Sequence, residues 1–205
     1  MKKRSAFLTS DGLSEKMKAM FFERIGKEPD TIKVMVVPTA GILSDGAREG
    51  FAVCLSELMT MGIKYDNITI YNLESVISKN YVRTYSAYLS DIPMIARLVT
   101  AEDLASYDAV LISGGDVSFL TEEMNRTGFA SELKKAVEDG LIYVGISAGS
   151  MVAAGTFEGG LGLIENPIIP HWRNKKMTVL PDDNAEIHLA DGQAVYICGE
   201  KVELL

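Results

Sequence analysis

Apolar residues in this chain fall into short unbroken runs, and segments with apolar residues at helical spacing separate those runs. Runs of this length, bounded by turn residues, are typical of buried strands. The predicted strands cover residues 5–9, 33–38, 67–71, 108–113 and 141–146. The predicted helices cover residues 13–25, 51–59 and 129–137, and the glycines that follow them as helix ends are Gly26, Gly62 and Gly140.

Strands that are apolar throughout indicate a parallel sheet that helices cover on both faces. We therefore expect an α/β fold with a doubly wound, mostly parallel sheet. The C-terminal part of the chain differs, because it holds short β-like pieces, including 186–189 and 194–198, and few helical signals. This β-rich tail is expected to extend one edge of the sheet in mixed fashion. Function in such sheets lies at the carboxyl ends of the strands.

Length and charge narrow the class of protein. The 205 residues, 47% of them apolar, suit a single domain over 1–205, and no repeat, low-complexity segment or linker divides them. The net charge of −8 disfavours nucleic acid as a partner, because an acidic surface repels phosphate backbones. Residues 80–91 contain three tyrosines without clear periodicity, and we interpret them as a packed loop rather than a lid.

The chain has no apolar run that approaches a membrane span or the core of a secretion signal. Cys54 and Cys198 lie far apart and outside any C-x-x-C pattern, which favours two reduced thiols over a disulfide or a metal site. We expect a cytoplasmic protein that contacts no membrane and needs no metal or organic cofactor. Exposed edge strands would permit either a monomer or a homodimer.

One motif carries nucleophilic chemistry. The segment from Gly145 to Gly149 reads G-x-S-x-G and lies between a predicted strand and a helix-compatible stretch. A serine at such a turn is held in a strained conformation that exposes its hydroxyl, and the flanking positions must be small because backbone segments meet there. Ser147 is therefore the predicted nucleophile.

Two backbone amides are candidates for an oxyanion hole. Ala148 follows the nucleophile at a helix N-terminus, where its N–H points at developing negative charge. The segment S-G-G-D, residues 113–116, ends a neighbouring predicted strand, and paired glycines let a backbone amide approach a carbonyl closely. We favour Gly115 over Gly114 as the second donor.

A serine hydroxyl needs a base, and the chain contains two histidines. His171 directly follows an apolar stretch that has a proline at each end, residues 167–170. This pattern favours a rigid loop at the edge of the sheet. His188 alternates with apolar neighbours and is predicted to lie on the solvated face of a strand. His171 is therefore the predicted base. The acid that orients its imidazole is left open by the residues alone, with these candidates: Asp182, Asp183, Glu165 and Glu158.

With these residues in place, the chain resembles the family of peptidase E (aspartyl dipeptidase) and cyanophycinase. The likeness is carried by residues 113–116, by residues 145–150 and by the pair P-H at 170–171 and L-P-D at 180–182. It implies the doubly wound fold of class I glutamine amidotransferases, with serine in place of their cysteine. It also implies Ser147 as nucleophile, His171 as base and Asp182 as acid.

The chain departs from aspartyl dipeptidase near that acid. The dipeptidase has E-G-N where this chain has D-D-N at 182–184, and its longer segment between histidine and acid carries an arginine for the substrate's aspartyl carboxylate. Only ten residues separate His171 from Asp182 here, among them Arg173, Lys175 and Lys176. Asp116 and Arg173 are the candidate substrate contacts, and the alternative for the three basic residues is a solvated loop.

The leading hypothesis is a serine peptidase that cleaves dipeptides or short peptides, including those with N-terminal Asp, through an acyl-enzyme. The nearest alternative is a cyanophycinase-like hydrolase of β-aspartyl-arginine. An alternative of another class is a binding protein that kept the fold and lost the chemistry.

Overall fold

A computed structural model describes residues 4–77, 94–155, 159–173 and 186–205. None of the helices in these segments is long and apolar enough to cross a membrane. The predicted loop at 80–91 lies outside the described residues.

The described residues form nine strands in two sheets. In chain order they are β1 (Ser5–Thr9), β2 (Val34–Val37), β3 (Ile68–Ile70), β4 (Ala109–Ile112), β5 (Ile142–Ile146), β6 (Ile168–Ile169), β7 (Ile187–His188), β8 (Ala194–Cys198) and β9 (Lys201–Leu204). The main sheet has the order β3-β2-β4-β5-β1-β8-β9, and β6 pairs with β7 in a small separate sheet. The five strands from β3 to β1 are parallel, whereas β8 and β9 pair antiparallel to their neighbours. The predicted mixed extension at one edge is confirmed.

The helices described are α1 (Glu15–Ile25), α2 (Asp45–Thr60), α3 (Ala101–Leu104), α4 (Val117–Thr127), α5 (Phe129–Glu138) and α6 (Ala148–Ala153). The predicted end of the first helix is confirmed, since Gly26 ends α1 in the left-handed region at φ 66°. Helix α4 was not anticipated. The carboxylate of Asp116 caps it by accepting a hydrogen bond from the N–H of Phe119 at 2.9 Å.

Two hydrophobic cores cover the two faces of the main sheet. Alternate residues of β1, β2, β4, β5 and β8 enter different cores, so Val36 packs with α1 and α2 while Met35 packs with α4 and α5. Such strands have no solvated face, which explains their unbroken apolar character. The predicted doubly wound arrangement is confirmed.

The order of the strands determines which residues meet at the carboxyl ends of the parallel strands. The neighbouring strands β4, β5 and β1 end together, so the chain that leaves them places Gly114, Ser147 and Ser10 at one edge of the sheet. In the small β6–β7 sheet, strand β6 ends at Ile169, two residues before His171.

The prediction that His188 faces solvent is wrong. Its side chain is only 12% exposed, and its ring stacks on the indole of Trp172 with centroids 3.9 Å apart. Alternation along so short a strand indicates which residues share a face, but it cannot show that an aromatic ring from another loop covers that face.

Candidate active site

The turn between β5 and α6 has the strained geometry that the motif predicts. Ser147 has φ 49° and ψ −107°, a conformation that residues with a side chain rarely adopt. A methyl group added to Gly145 would lie 2.6 Å from the carbonyl oxygen of Gly149. One added to Gly149 would lie 2.3 Å from the carbonyl oxygen of Ile112. Both glycines are therefore required by close backbone packing.

Hydrogen bonds to the neighbouring strand fix this turn. The N–H of Ser147 donates to the carbonyl oxygen of Thr9 at 3.0 Å. The buried hydroxyl of Ser150 lies 2.7 Å from that same oxygen and 2.8 Å from the carbonyl oxygen of Gly145. The strain at Ser147 is thus held by a rigid, buried scaffold, while the Ser147 side chain itself remains partly exposed.

The imidazole of His171 lies against this serine. Its Nε2 is 3.0 Å from the Oγ of Ser147, within hydrogen-bond reach. His171 has φ 57°, and among the described residues it and Ser147 are the non-glycine residues with positive φ. Backbone strain in the described chain is therefore concentrated at two side chains that contact each other.

The carboxylate on the other side of the imidazole is Asp191. Its Oδ1 lies 2.8 Å from the Nδ1 of His171. The acid was predicted at Asp182, which lies outside the described residues, as do Asp183 and Glu158. Among the described residues, Asp191 is thus the carboxylate that contacts the Nδ1 of His171, which makes it a second candidate for the role predicted for Asp182. Glu165 is described and exposed, and it forms no hydrogen bond or ion pair with the ring of His171.

Ser10 joins the base and the acid. Its buried hydroxyl donates to the Oδ1 of Asp191 at 2.9 Å and accepts the backbone N–H of His171 at 2.8 Å. One hydroxyl thus fixes the loop that carries the imidazole and the carboxylate that orients it.

These contacts define the protonation pattern. The hydrogen bonds from His171 and Ser10 lower the pKa of Asp191 below its usual value, so its carboxylate is ionised at neutral pH. An ionised Asp191 accepts the Nδ1–H of His171, which leaves Nε2 free to accept the hydroxyl proton of Ser147. The His171 and Asp191 side chains are 54% and 63% exposed, so this half of the site is open to solvent.

A cavity of about 340 Å³ opens in front of the serine. Its described lining comes from the ends of β1, β4 and β5, from the His171 loop and from one face of α2. The lining residues are Ser10, Asp11, Gly46, Ala47, Gly50, Val53, Cys54, Glu57, Gly114, Gly115, Ile146, Ser147 and His171. The acidic residues in this set are Asp11 and Glu57, and no described Lys or Arg belongs to it.

The predicted oxyanion donors have suitable surroundings. Within the described part of the chain, the N–H groups of Gly115 and Ala148 have no acceptor. Gly115 has φ 138°, and a methyl group there would lie 2.0 Å from the carbonyl oxygen of Ala40. Only glycine fits, and Gly115 lines the cavity. Their role as donors remains a prediction.

The two predicted substrate contacts are less well placed. The carboxylate of Asp116 already caps α4, and Arg173 is exposed. Neither belongs to the described lining of the cavity. His188, the alternative base, has its Nε2 2.7 Å from a carboxylate oxygen of Glu186 and does not line the cavity either.

Sequence reasoning missed Ser10 and Asp191. Neither belongs to a local motif, and 181 positions separate them in the chain. The available signal was positional, since Ser10 directly follows a predicted strand and Asp191 follows residues 186–189 at an Asp-Gly turn.

Comparison with known proteins finds similar sequences. The model of peptidase family S51 matches residues 94–205, more than half of the chain. A curated peptidase E of Nostoc sp. (strain PCC 7120) is 30% identical over 98 residues, which cover 42% of this chain and 39% of that protein. An uncharacterised peptidase of Pasteurella multocida (strain Pm70) is 28% identical over 90 residues, covering 36% and 44% respectively. The chain thus matches less than half the length of these curated relatives.

A solved structure confirms the fold class. The crystal structure of a Listeria monocytogenes EGD-e protein, provisionally named a peptidase E protein, superposes with a TM-score of 0.64. The match covers 99% of this chain and 98% of that one at 17% sequence identity, which establishes a shared fold. The predicted class I glutamine amidotransferase-like architecture and the resemblance to peptidase E are both confirmed.

Proposed function

Because the chain belongs to peptidase family S51, we propose that it hydrolyses amide bonds in short peptides with Ser147 as nucleophile. The observation that carries this proposal is the hydrogen-bonded series of Ser147, His171 and Asp191, with distances of 3.0 Å and 2.8 Å. Serine, imidazole and carboxylate in this order form the arrangement that activates a hydroxyl.

Acylation begins with the neutral imidazole. The Oγ of Ser147 attacks the carbonyl carbon of the peptide while its proton passes to the Nε2 of His171. Asp191 stabilises the resulting imidazolium through Nδ1. The N–H groups of Gly115 and Ala148 hold the oxyanion. Collapse of this intermediate breaks the C–N bond, and the leaving amine takes the proton from Nε2.

Deacylation repeats these steps with water. A water molecule gives a proton to the Nε2 of His171 and attacks the acyl carbon. The second tetrahedral intermediate collapses, the acid product leaves, and the Oγ of Ser147 regains its proton. Every proton is thus moved by His171, and the enzyme returns to its starting state without a cofactor.

The cavity supports a small substrate. Its volume of about 340 Å³ lies near the lower end of the range for small-molecule pockets, about 300–1,000 Å³. A dipeptide or the end of a short peptide suits this size. N-terminal aspartate is the weaker expectation, because Asp11 and Glu57 would repel its side-chain carboxylate. The same two carboxylates favour a second candidate, β-aspartyl-arginine, whose guanidinium they would attract.

We also propose that the enzyme acts in a reducing compartment, the cytoplasm. Cys54 is buried and Cys198 is half-buried, and both are free thiols. Free thiols are usual where glutathione and thioredoxin keep cysteines reduced. Cell fractionation with compartment markers tests this assignment.

The central experiment treats the folded protein with a fluorophosphonate and maps the adduct by mass spectrometry. We expect labelling at Ser147, because its Oγ displaces fluoride from phosphorus when His171 accepts the proton. Ser147→Ala is the matched control and should carry no label. Folded protein that stays unlabelled would instead support the binding protein without catalysis.

A substrate panel then ranks the peptide candidates. It contains α-linked dipeptides with neutral, basic and aspartyl residues, together with β-aspartyl-arginine. We expect the neutral or basic peptides to be hydrolysed faster than those with N-terminal aspartate. Strong preference for α-aspartyl dipeptides would contradict the proposed role of the acidic lining, and selective cleavage of β-aspartyl-arginine would establish the second candidate.

A further inference from the structure

Two glycines of α2 have no explanation in the packing of the protein. Gly46 and Gly50 both lie inside this helix and are exposed, and neither has a positive φ. A methyl group added to either would meet no atom within 4 Å. They differ in this respect from Gly145 and Gly149, where an added methyl group would clash with backbone.

These glycines weaken the helix that contains them. Glycine inside a helix costs about 1 kcal/mol relative to alanine, because it loses more backbone freedom on folding. Gly46 lies in the first turn, where the cost is smaller, whereas Gly50 lies in the interior. Stability alone would favour alanine at both positions, so their benefit must lie elsewhere.

Both glycines face the cavity. Gly46, Gly50, Val53 and Glu57 follow the spacing i, i+4, i+7 and i+11, which places them on one face of α2. All four line the same cavity as Ser147. At Gly46 and Gly50 the wall of α2 is therefore bare helix backbone, whereas its other lining residues, Ala47, Val53, Cys54 and Glu57, carry side chains.

We propose that Gly46 and Gly50 are specificity-determining residues, which leave room beside Ser147 for a large side chain of the substrate. The inference rests on the proposed peptidase function. A substrate residue that lies along this wall contacts helix backbone first and then Val53, whose side chain is exposed. Glu57 follows at the far end of the face. The wall therefore suits large neutral or basic residues better than small or acidic ones.

The wall can be filled by substitution at Gly50. Gly50→Ala and Gly50→Leu add side chains on the cavity face of α2, where an added Cβ meets no atom within 4 Å. Ala52→Leu is the matched control, because Ala52 is exposed on the same helix and does not line the cavity. Gly46→Ala tests the second position.

The measurement is kcat/KM for paired dipeptides X-Ala and Ala-X, in which X is glycine, alanine, leucine, phenylalanine or lysine. One of the two series, X-Ala or Ala-X, places X along the glycine wall. In that series we expect Gly50→Leu to lower kcat/KM about 100-fold when X is large and to change it less than about twofold when X is glycine. Gly50→Ala should have a smaller effect of the same kind. It should also raise the melting temperature by about 2–4 °C, because alanine favours the helix.

Other results overturn the inference. If wild-type Ser147 reacts with fluorophosphonate and peptides are cleaved, but the Gly50 variants keep the wild-type size preference, the glycine wall does not determine specificity. An equal loss for every X, or the same loss in Ala52→Leu, leads to the same conclusion. If wild-type protein neither reacts with the probe nor cleaves any peptide, the proposed function itself is wrong and the inference falls with it.

Discussion

The two halves of the candidate active site are built in different ways. The half that carries Ser147 is formed by residues 145–150, which are neighbours in the chain and which the adjacent strands hold in place through Thr9 and Ile112. The half that carries the base brings together Ser10, His171 and Asp191 from three distant segments. The nucleophile is thus a property of a local motif, whereas the base and acid are a property of the tertiary structure.

The halves also differ in burial. Gly145 and Gly149 pack against backbone in the interior, so the serine turn depends on close steric fit. The side chains of His171 and Asp191 are more than half exposed and are held by hydrogen bonds. Changes in the first half should therefore affect folding easily, whereas changes in the second should affect rate with little loss of stability.

The largest effect is expected where the two halves meet. Ser147→Ala removes the attacking oxygen and should lower kcat about 10⁶-fold, as loss of a nucleophile does in serine proteases. The glycines that shape the turn are untouched, so the melting temperature should stay within about 4 °C of wild type. Single-turnover hydrolysis and thermal unfolding check both. Full turnover by this variant would remove Ser147 from the mechanism.

The second prediction separates the acid found in the structure from the one expected from the sequence. Asp191→Asn presents an amide to His171 and favours the wrong tautomer, so kcat should fall about 10⁴-fold. Asp182→Asn is the matched control and should change kcat less than about threefold. A larger loss in Asp182→Asn than in Asp191→Asn would return the acid to residue 182.

The third prediction concerns the hydroxyl that joins base and acid. Ser10→Ala leaves the catalytic groups intact but frees the loop and the carboxylate, and a small misplacement of this kind should lower kcat about 100-fold. Ser10 helps to lower the pKa of Asp191, so its loss raises that pKa towards the ordinary value. The carboxylate then becomes protonated at a higher pH, and activity on the acid side should be lost earlier than in wild type.

The measurement for Ser10→Ala is the pH dependence of kcat, with chemical denaturation beside it. A purely structural role would lower stability and leave the shape of the pH profile unchanged. That outcome, or an unchanged kcat, would show that Ser10 does not position the base.

The contrast between the halves also explains what the sequence could predict. Unbroken apolar runs predicted the strands of the doubly wound sheet, because a strand buried on both faces has no polar positions. The motif around Ser147 predicted the turn, since Gly145 is required by its contact with Gly149 in the same motif, although Gly149 itself packs against Ile112 of β4. His171 could be chosen from only two histidines, with a rigid proline-bracketed loop as the guide.

The remaining features depend on contacts between distant segments. Asp191 meets His171 because β8 pairs antiparallel with β1 and brings the turn before β8 next to Ser10. No spacing in the sequence encodes that pairing, and so the acid was sought near residue 182. His188 was misjudged for the same reason, since Trp172 from another loop covers its ring.

The smallest effect is expected at Cys54, a thiol residue that also lines the cavity. Burial and the nearby Glu57 carboxylate raise the pKa of its thiol to about 11, so at pH 7 only about one molecule in 10⁴ carries the reactive thiolate. Cys54→Ser should therefore keep kcat within about twofold of wild type, and iodoacetamide at pH 7 should leave activity intact while fluorophosphonate abolishes it. Raising the pH towards 11 increases the thiolate fraction, so any alkylation of Cys54 should accelerate over that range. Rapid inactivation by iodoacetamide at pH 7 that Cys54→Ser prevents would show that the thiol reacts at neutral pH, which contradicts its raised pKa, whereas a large loss of kcat in Cys54→Ser itself would show that the thiol takes part in the reaction.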